Sequence, residues 1–202
     1  MRKFLLKIIS VLLLWVNVFS LLFYCTNRKE IAMDINRYLW MTPFKKAGVL
    51  SLNYLLLFSK NFRSIFFYRI CKYHLWVKLF GFLIPKRLPG IELGGKIGGG
   101  VLLFHNMGCV VAPYSAGKNL TVAQGVTVGK GNKNEEGRDN PILGDNVWIC
   151  TNAVVFGGIT IGNNVKIGAG TILNRSVPDN CVVAGNPARI IKRDGVACNE
   201  PL

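Results

Sequence analysis

Few side chains in this chain could do chemistry, which narrows the search. Of 202 residues only two are histidine, His74 and His105, and the six cysteines, Cys25, Cys71, Cys109, Cys150, Cys181 and Cys198, stand far apart with no CxxC pair. Zinc needs clustered His and Cys ligands, so no metal site is expected. What remains is acid–base work. His105 lies in LLFHNMGCVV, directly after Phe104 and near Gly108, which permits close backbone approach. An imidazole with a pKa near neutrality suits removal of a proton from an attacking hydroxyl. A lone histidine in a strand also serves plain structural roles, and His74, set among aromatic and basic residues, reads as an interfacial or packing residue.

The element that must position His105 announces itself by its period. LGDNVW, ICTNAV, VFGGIT, IGNNVK and IGAGTI follow one another without a gap. They place aliphatic residues at Leu143, Ile149, Val155, Ile161, Ile167 and Leu173, with small or β-branched residues at Val147, Ala153, Ile159, Val165 and Thr171. Six residues fit neither a 3.6-residue helix nor a meander; they fit a strand solenoid whose flat sides are one hexad each. The same register opens after Gly90 with Ile91, Ile97, Leu103 and Cys109 facing inward, and resumes at Ala116. Cys109 and Cys150 sit where a small side chain fits and read as free thiols.

Residues 131–140, GNKNEEGRDN, contain no hydrophobic residue and cannot form a coil side. They are expected to loop outward as a candidate substrate loop, held by the rigid coil beneath; a solvated excursion is the alternative.

Charge is lopsided. Residues 1–90 carry 15 Lys/Arg against Glu30 and Asp34, whereas residues 91–202 carry 10 against eight acids, so +13 of the formal +15 lies in the first part. Basic residues interleaved with Phe, Tyr and Trp suit nucleic acid or an anionic membrane, and no nucleic-acid motif is present, which favours the membrane surface. Residues 1–32 form a hydrophobic segment. Within it Ile8 to Cys25 is apolar apart from Ser10, Asn17 and Ser20, about long enough to span a bilayer. The cleavage pattern of a signal peptide is missing. The segment is read as a membrane anchor or as an over-extended start upstream of Met33. As an anchor it would leave the C-terminal domain facing the cytoplasm, so the expected location is cytoplasmic, with anchoring at the cytoplasmic face of the membrane. Residues 33–89 read as two or three short amphipathic helices, lying on lipid or capping the open solenoid end. Residues 194–202 read as a tail.

KIGGGVLLFHNMGCVV, TVAQGVTVG and NPILGDNVWICTNAVVFGGITIGNNVKIGAGTILNRSVPDNCVVAGNPARII together resemble the left-handed β-helix acyltransferases, and within them the serine acetyltransferase branch. The likeness covers roughly residues 90–193. It implies a mainly β fold, a left-handed parallel β-helix with a short N-terminal helical region. It also implies a homotrimer with sites between subunits, and acetyl-CoA as co-substrate. His105 aligns with the general base. By family position Thr151 and Ala169 line the pantetheine channel, with Gly185, Asn186, Arg189 and Lys192 near the far end of the cofactor.

The departures concern the acceptor. Where the family has an aspartate that orients the histidine, this chain has Gly90, with Glu92 two residues on as a substitute. Phe104 replaces the aspartate before the histidine, and Asp139 and Asn140 stand where an Arg-His pair engages the carboxylate of serine. Losing those cations removes a carboxylate's partner. The reading that follows is an acetyl-CoA-dependent O-acetyltransferase acting on a sugar hydroxyl of a surface polysaccharide or its precursor. The alternatives are serine O-acetylation for cysteine biosynthesis, with Arg138 as the needed cation, and a non-catalytic hexapeptide-repeat trimer. No nucleic-acid partner is expected.

Overall fold

The computed structural model describes residues 2–26, 28–70, 89–105 and 107–202. It divides into two compact units, Met1–Leu88 and Pro89–Leu202.

The first unit holds five α-helices among its described residues: α1 (Arg2–Leu12), α2 (Val18–Thr26), α3 (Arg28–Tyr38), α4 (Val49–Phe58) and α5 (Lys60–Ile70). The apolar run expected to span a membrane is interrupted by a 3-10 turn, Leu14–Asn17, and among the described residues no helix is long and apolar enough to cross one. The unit's core packs Ile31, Ile35, Tyr38, Leu52, Leu55, Phe62, Ile65 and Phe66, all essentially inaccessible. Tyr38 and Phe62 meet edge to face at 5.5 Å. Between α3 and α5, Arg69 grips Asp34 with two hydrogen bonds, Nε to Oδ2 at 2.8 Å and Nη2 to Oδ1 at 3.0 Å, both side chains buried. His74 and Cys71 lie outside the described residues, as does the end of the helical segment expected up to residue 89.

The second unit is a β-solenoid of parallel stacked coils. Its first coil is β1 (Ile91–Leu93), β2 (Lys96–Ile97) and β3 (Leu102–Phe104); the second is β4 (Cys109–Val111), β5 (Ser115–Ala116) and β6 (Thr121–Ala123). The third is β7 (Thr127–Gly129), β8 (Ile142–Leu143) and β9 (Trp148–Ile149), and the fourth is β10 (Val154–Phe156), β11 (Thr160–Ile161) and β12 (Lys166–Ile167). A fifth runs through β13 (Ile172–Leu173), a bridge at Val177 and β14 (Cys181–Ala184). Each strand pairs in parallel with the one a coil away, which makes three faces: β1-β4-β7-β10-β13, β2-β5-β8-β11 and β3-β6-β9-β12-β14.

The hexad residues fill the interior as their period predicts: Leu103, Val122, Ile149 and Ile167 stack on the third face, and Val183, two residues short of the period, continues the stack, each at most 2% exposed. The stretch expected to be a tail is instead β16 (Val196–Pro201), antiparallel to β15 (Arg189–Arg193), which in turn pairs antiparallel with β14. Pairing removes the open edge that β14 would otherwise present.

Each edge turns sharply, and left-handed backbone does the turning. Where the second face meets the third, Asn119, Asn146, Asn164 and Asn180 all have φ between 56° and 60°. Asparagine tolerates that region better than other non-glycine residues. Here it also bonds upward: each Nδ2 donates to the next Oδ1 at 2.9 Å, and Asn180 closes the column on Asp194 at 3.1 Å.

Candidate active site

The edge where the third face turns into the first gathers most of the residues singled out by the sequence. Backbone bonds hold it as a column: Cys109 N–H donates to Gly90 O, Gly125 N–H to Met107 O, Asn152 N–H to Gln124 O, and Gly170 N–H to Thr151 O, at 2.9–3.0 Å. Thr151, Ala169 and Gly185 therefore stand above the His105 turn, coil upon coil. Four strand spacings of about 4.8 Å separate the His105 coil from the Gly185 coil, about 19 Å in all. A long, thin ligand laid along the edge would meet all of them.

The His105 turn breaks the period. Eight residues carry the chain from Leu103 to Val111, where six suffice from Val122 to Val128 and from Ile149 to Val155. The two extra residues make this turn longer than its counterparts, and Met107 within it is 76% exposed. His105 is exposed and takes φ 51°, in the left-handed region that few non-glycine residues enter and that histidine enters more readily than most. Local strain of this kind persists where the surroundings enforce it and clusters at functional positions. Phe104, 39% exposed, meets the imidazole edge to face with ring centroids 5.1 Å apart. Register shows in the sequence only as a stutter between Leu103 and Ala116, and the bulge itself was missed.

Glu92 is not brought to the imidazole by any hydrogen bond or ion pair among the described residues. It is exposed on the outer side of β1, opposite Val110. Gly90, in the place of the family aspartate, has only its carbonyl in the turn, where it accepts from Cys109.

Beyond Gly185 the edge opens into a groove of about 400 Å³, lined by Asn174, Arg175, Asn186, Pro187, Arg189 and Leu202 among others. Asn186 is exposed. Arg189 is held by its neighbour strand, Nε donating to Asn199 Oδ1 at 2.5 Å and Nη2 to Asn199 O at 2.8 Å. Lys192 is exposed on β15, opposite Val182. Arg175 completes the groove and donates Nη1 to Leu202 O; nothing in the sequence points to it, because the pairing of β16 with β15 that brings Leu202 back is long-range. On the same hairpin a 2.5 Å hydrogen bond to Glu200 raises the pKa of Arg193, and burial pushes the thiols of Cys181 and Cys198 up.

The 131–140 loop leaves a different edge, between β7 and β8, so within one subunit Arg138, Asp139 and Asn140 are not gathered with His105 on one edge. The loop is internally built. Asn134 N–H donates to Arg138 O and Gly131 N–H to Asp139 O, both at 2.9 Å. Arg138 is turned inward: Nη2 donates to Gly158 O at 3.0 Å and to Thr160 Oγ1 at 3.3 Å, Nη1 lies 3.7 Å from Glu136, and its side chain is 13% exposed. Gly158 is required beneath it, because a Cβ there would collide with Arg138 O. Asp139 pairs with Lys130 at 3.6 Å, and Asn140 Nδ2 donates to Ala112 O at 2.6 Å. Cys109, Cys150, Cys181 and Cys198 are free thiols. Among the described residues no group of His, Cys, Asp and Glu could hold a metal.

Residues 140–175 match the family model described as bacterial transferase hexapeptide (six repeats). A serine acetyltransferase from Staphylococcus aureus strain Mu50 is 43% identical over 116 residues, 56% of this chain and 54% of that protein. The chain thus spans about half the length of the curated relatives it matches. Among solved structures, the serine acetyltransferase of Neisseria gonorrhoeae superposes with TM-score 0.64 at 27% identity, covering 91% of this chain and 71% of the other. A serine acetyltransferase in complex with CoA gives TM-score 0.56 at 27% identity, covering 83% and 72%. The hexapeptide match, these relatives and the stacked coils fit a left-handed β-helix acyltransferase of the serine acetyltransferase type.

Proposed function

From that likeness we propose that the solenoid is an O-acetyltransferase, moving the acetyl group of acetyl-CoA to a hydroxyl acceptor. The observation that carries this reading is the shared edge: His105 at its foot, strained and exposed, with Thr151, Ala169 and Gly185 in line above it. In the proposed reaction His105 accepts the hydroxyl proton as the acceptor oxygen bonds to the thioester carbon. The C–S bond then breaks, and the leaving thiolate recovers the proton. Thr151 and Ala169 flank the pantetheine arm. Asn186, Arg189 and Lys192 lie toward the nucleotide end, where cations offset phosphate charge. A homotrimer supplies the facing wall of the edge and brings a neighbour's 131–140 loop near it, a juxtaposition that one subunit does not make. The donor places the reaction on the cytoplasmic side.

For the acceptor, the relatives' names favour L-serine, and with it cysteine biosynthesis; none of them supports the sugar hydroxyl that the substitutions at Phe104, Asp139 and Asn140 suggest. One observation sustains the sugar reading. Arg138, the cation a serine carboxylate would need, is already bonded to Gly158 and Thr160. The deciding experiment is release of free CoA from acetyl-CoA with L-serine and, in parallel, with a panel of glycans. Turnover with serine establishes the first reading and turnover with a glycan alone establishes the second. Absence of acetyl-CoA binding would refute both and leave the non-catalytic trimer.

A further inference from the structure

We propose that the outward side of α1 and α2 seats this protein on an anionic lipid bilayer, lying in the interface rather than crossing it. The helical unit is inverted in polarity there. Ser10, Asn17 and Ser20 are fully buried, whereas Phe4, Leu5, Leu12, Trp15 and Leu22 are 56–73% exposed. Two of these inward polar residues are tied to α4: Asn17 Nδ2 donates to Asn53 Oδ1 at 2.6 Å, Asn53 Nδ2 to Ser10 O at 2.6 Å, and Ser10 Oγ to Leu50 O at 3.2 Å. A helix surrounded by water places these types the other way round, because apolar surface left in water costs free energy and a contiguous patch of it marks a contact.

The pattern is also continuous and one-sided. Along α1, at about 100° per residue, exposed Phe4, Leu5, Ile8, Val11 and Leu12 share one arc of about 120°, buried Ser10 lies opposite and Lys7 stands beside the arc; Trp15 in the 3-10 turn and Leu22 in α2 carry the exposed apolar surface onward. A side occupied by α4 cannot also face lipid, and no described helix is long and apolar enough to cross a membrane. The geometry therefore suits a helix lying along the boundary between headgroups and acyl chains, with Trp15 at the level where its ring is favoured.

Charge selects the occupant. Lys3, Lys7, Arg28 and Lys29 are exposed, and Glu30 is the sole acid in the first thirty residues. A second copy would bring the same cations against these and repel. Anionic headgroups complement them, with each Lys or Arg near the surface adding to the attraction.

Vesicle flotation of the full chain tests this independently of any acyl transfer. The chain is expected to float with vesicles of phosphatidylglycerol and phosphatidylcholine and to bind pure phosphatidylcholine at least about tenfold more weakly. Leu12→Glu with Trp15→Glu should abolish flotation. Lys3→Gln with Lys7→Gln, both exposed, Lys7 with its ammonium 6.0 Å from the Phe44 ring centroid, should weaken binding to the anionic vesicles by about 30-fold. Failure of the wild-type chain to float overturns the proposal, as does flotation that neither double variant changes. So does a soluble assembly that the Leu12→Glu, Trp15→Glu variant splits, because the face would then be covered by a second copy.

Discussion

Phe104 stands edge to face with His105, ring centroids 5.1 Å apart and ring planes at 77°, at the point where the solenoid's backbone enters the left-handed region. An aromatic edge offers no acceptor to orient the imidazole, so the ring's placement rests on the turn itself. His105→Asn separates chemistry from shape, because asparagine tolerates φ 51° yet cannot serve as the base. We expect kcat to fall by about 10² to 10⁴, with acetyl-CoA binding and the melting temperature unchanged. Steady-state kinetics beside calorimetric titration of acetyl-CoA checks this, and full turnover in the variant would remove His105 from the mechanism.

Arg138 anchors the 131–140 loop through Gly158 O and Thr160 Oγ1. Arg138→Ala leaves those acceptors without their donor and should cost about 1–3 kcal/mol. Chemical denaturation measures the loss, and limited proteolysis should cut the loop faster. If the loop's protease resistance is unaltered, the anchoring role is wrong.

The buried Asp34–Arg69 pair joins α3 to α5. Removing one partner strands the other's charge away from water, so Asp34→Ala should destabilise the helical unit by about 3–5 kcal/mol. Asp34→Leu combined with Arg69→Met should recover most of that loss. Denaturant midpoints of the three proteins decide it; equal destabilisation by the single and double variants would show that the ion pair is not the cause.

Much of the solenoid could be read before its coordinates, because a six-residue spacing of aliphatic side chains constrains every coil at once: Leu143, Ile149, Ile161 and Ile167 point inward for the same reason. The column that carries Thr151, Ala169 and Gly185 follows from that period together with the family likeness. What did not follow were features set by long-range pairing. The extra residues between Leu103 and Val111 become visible only when Val111 is seen against Val128, and the strand Val196–Pro201 exists because β15 offers it an edge. The N-terminal run misled for a related reason: hydropathy counted its apolar residues, while the placement of Ser10 and Asn17 against Asn53 decides which side they face.

Asp179 accepts from the backbone N–H of Asn163 at 2.7 Å and from its side-chain amide at 3.1 Å, and these bonds hold its carboxyl below the ordinary carboxylate range. A depressed folded pKa gives a contribution that is complete above the unfolded value of about 4; it is lost as pH falls through the folded value. Asp179→Asn should therefore melt below the wild type by a constant interval from about pH 5 to 8, with the interval closing in more acid solution. Melting curves across that range test it. An interval that is unchanged at about pH 2 would mean the charge plays no part.

Asn164 is bonded on both sides of its column, accepting from Asn146 and donating to Asn180 at 2.9 Å, with φ 56°. Replacement by alanine loses both bonds and also forces a Cβ-bearing residue without a compensating polar group into the left-handed region. Replacement by glycine loses the bonds alone. Glycine ordinarily destabilises more than alanine because it frees the unfolded chain, so the two contributions oppose each other, and the conformational one, about 1–2 kcal/mol, is the larger. Asn164→Gly should accordingly be the more stable of the two by about 1 kcal/mol. Equilibrium unfolding of both variants measures the order directly. The reverse order would mean that the unfolded-chain entropy of glycine outweighs the strain of a Cβ in the left-handed region at this edge.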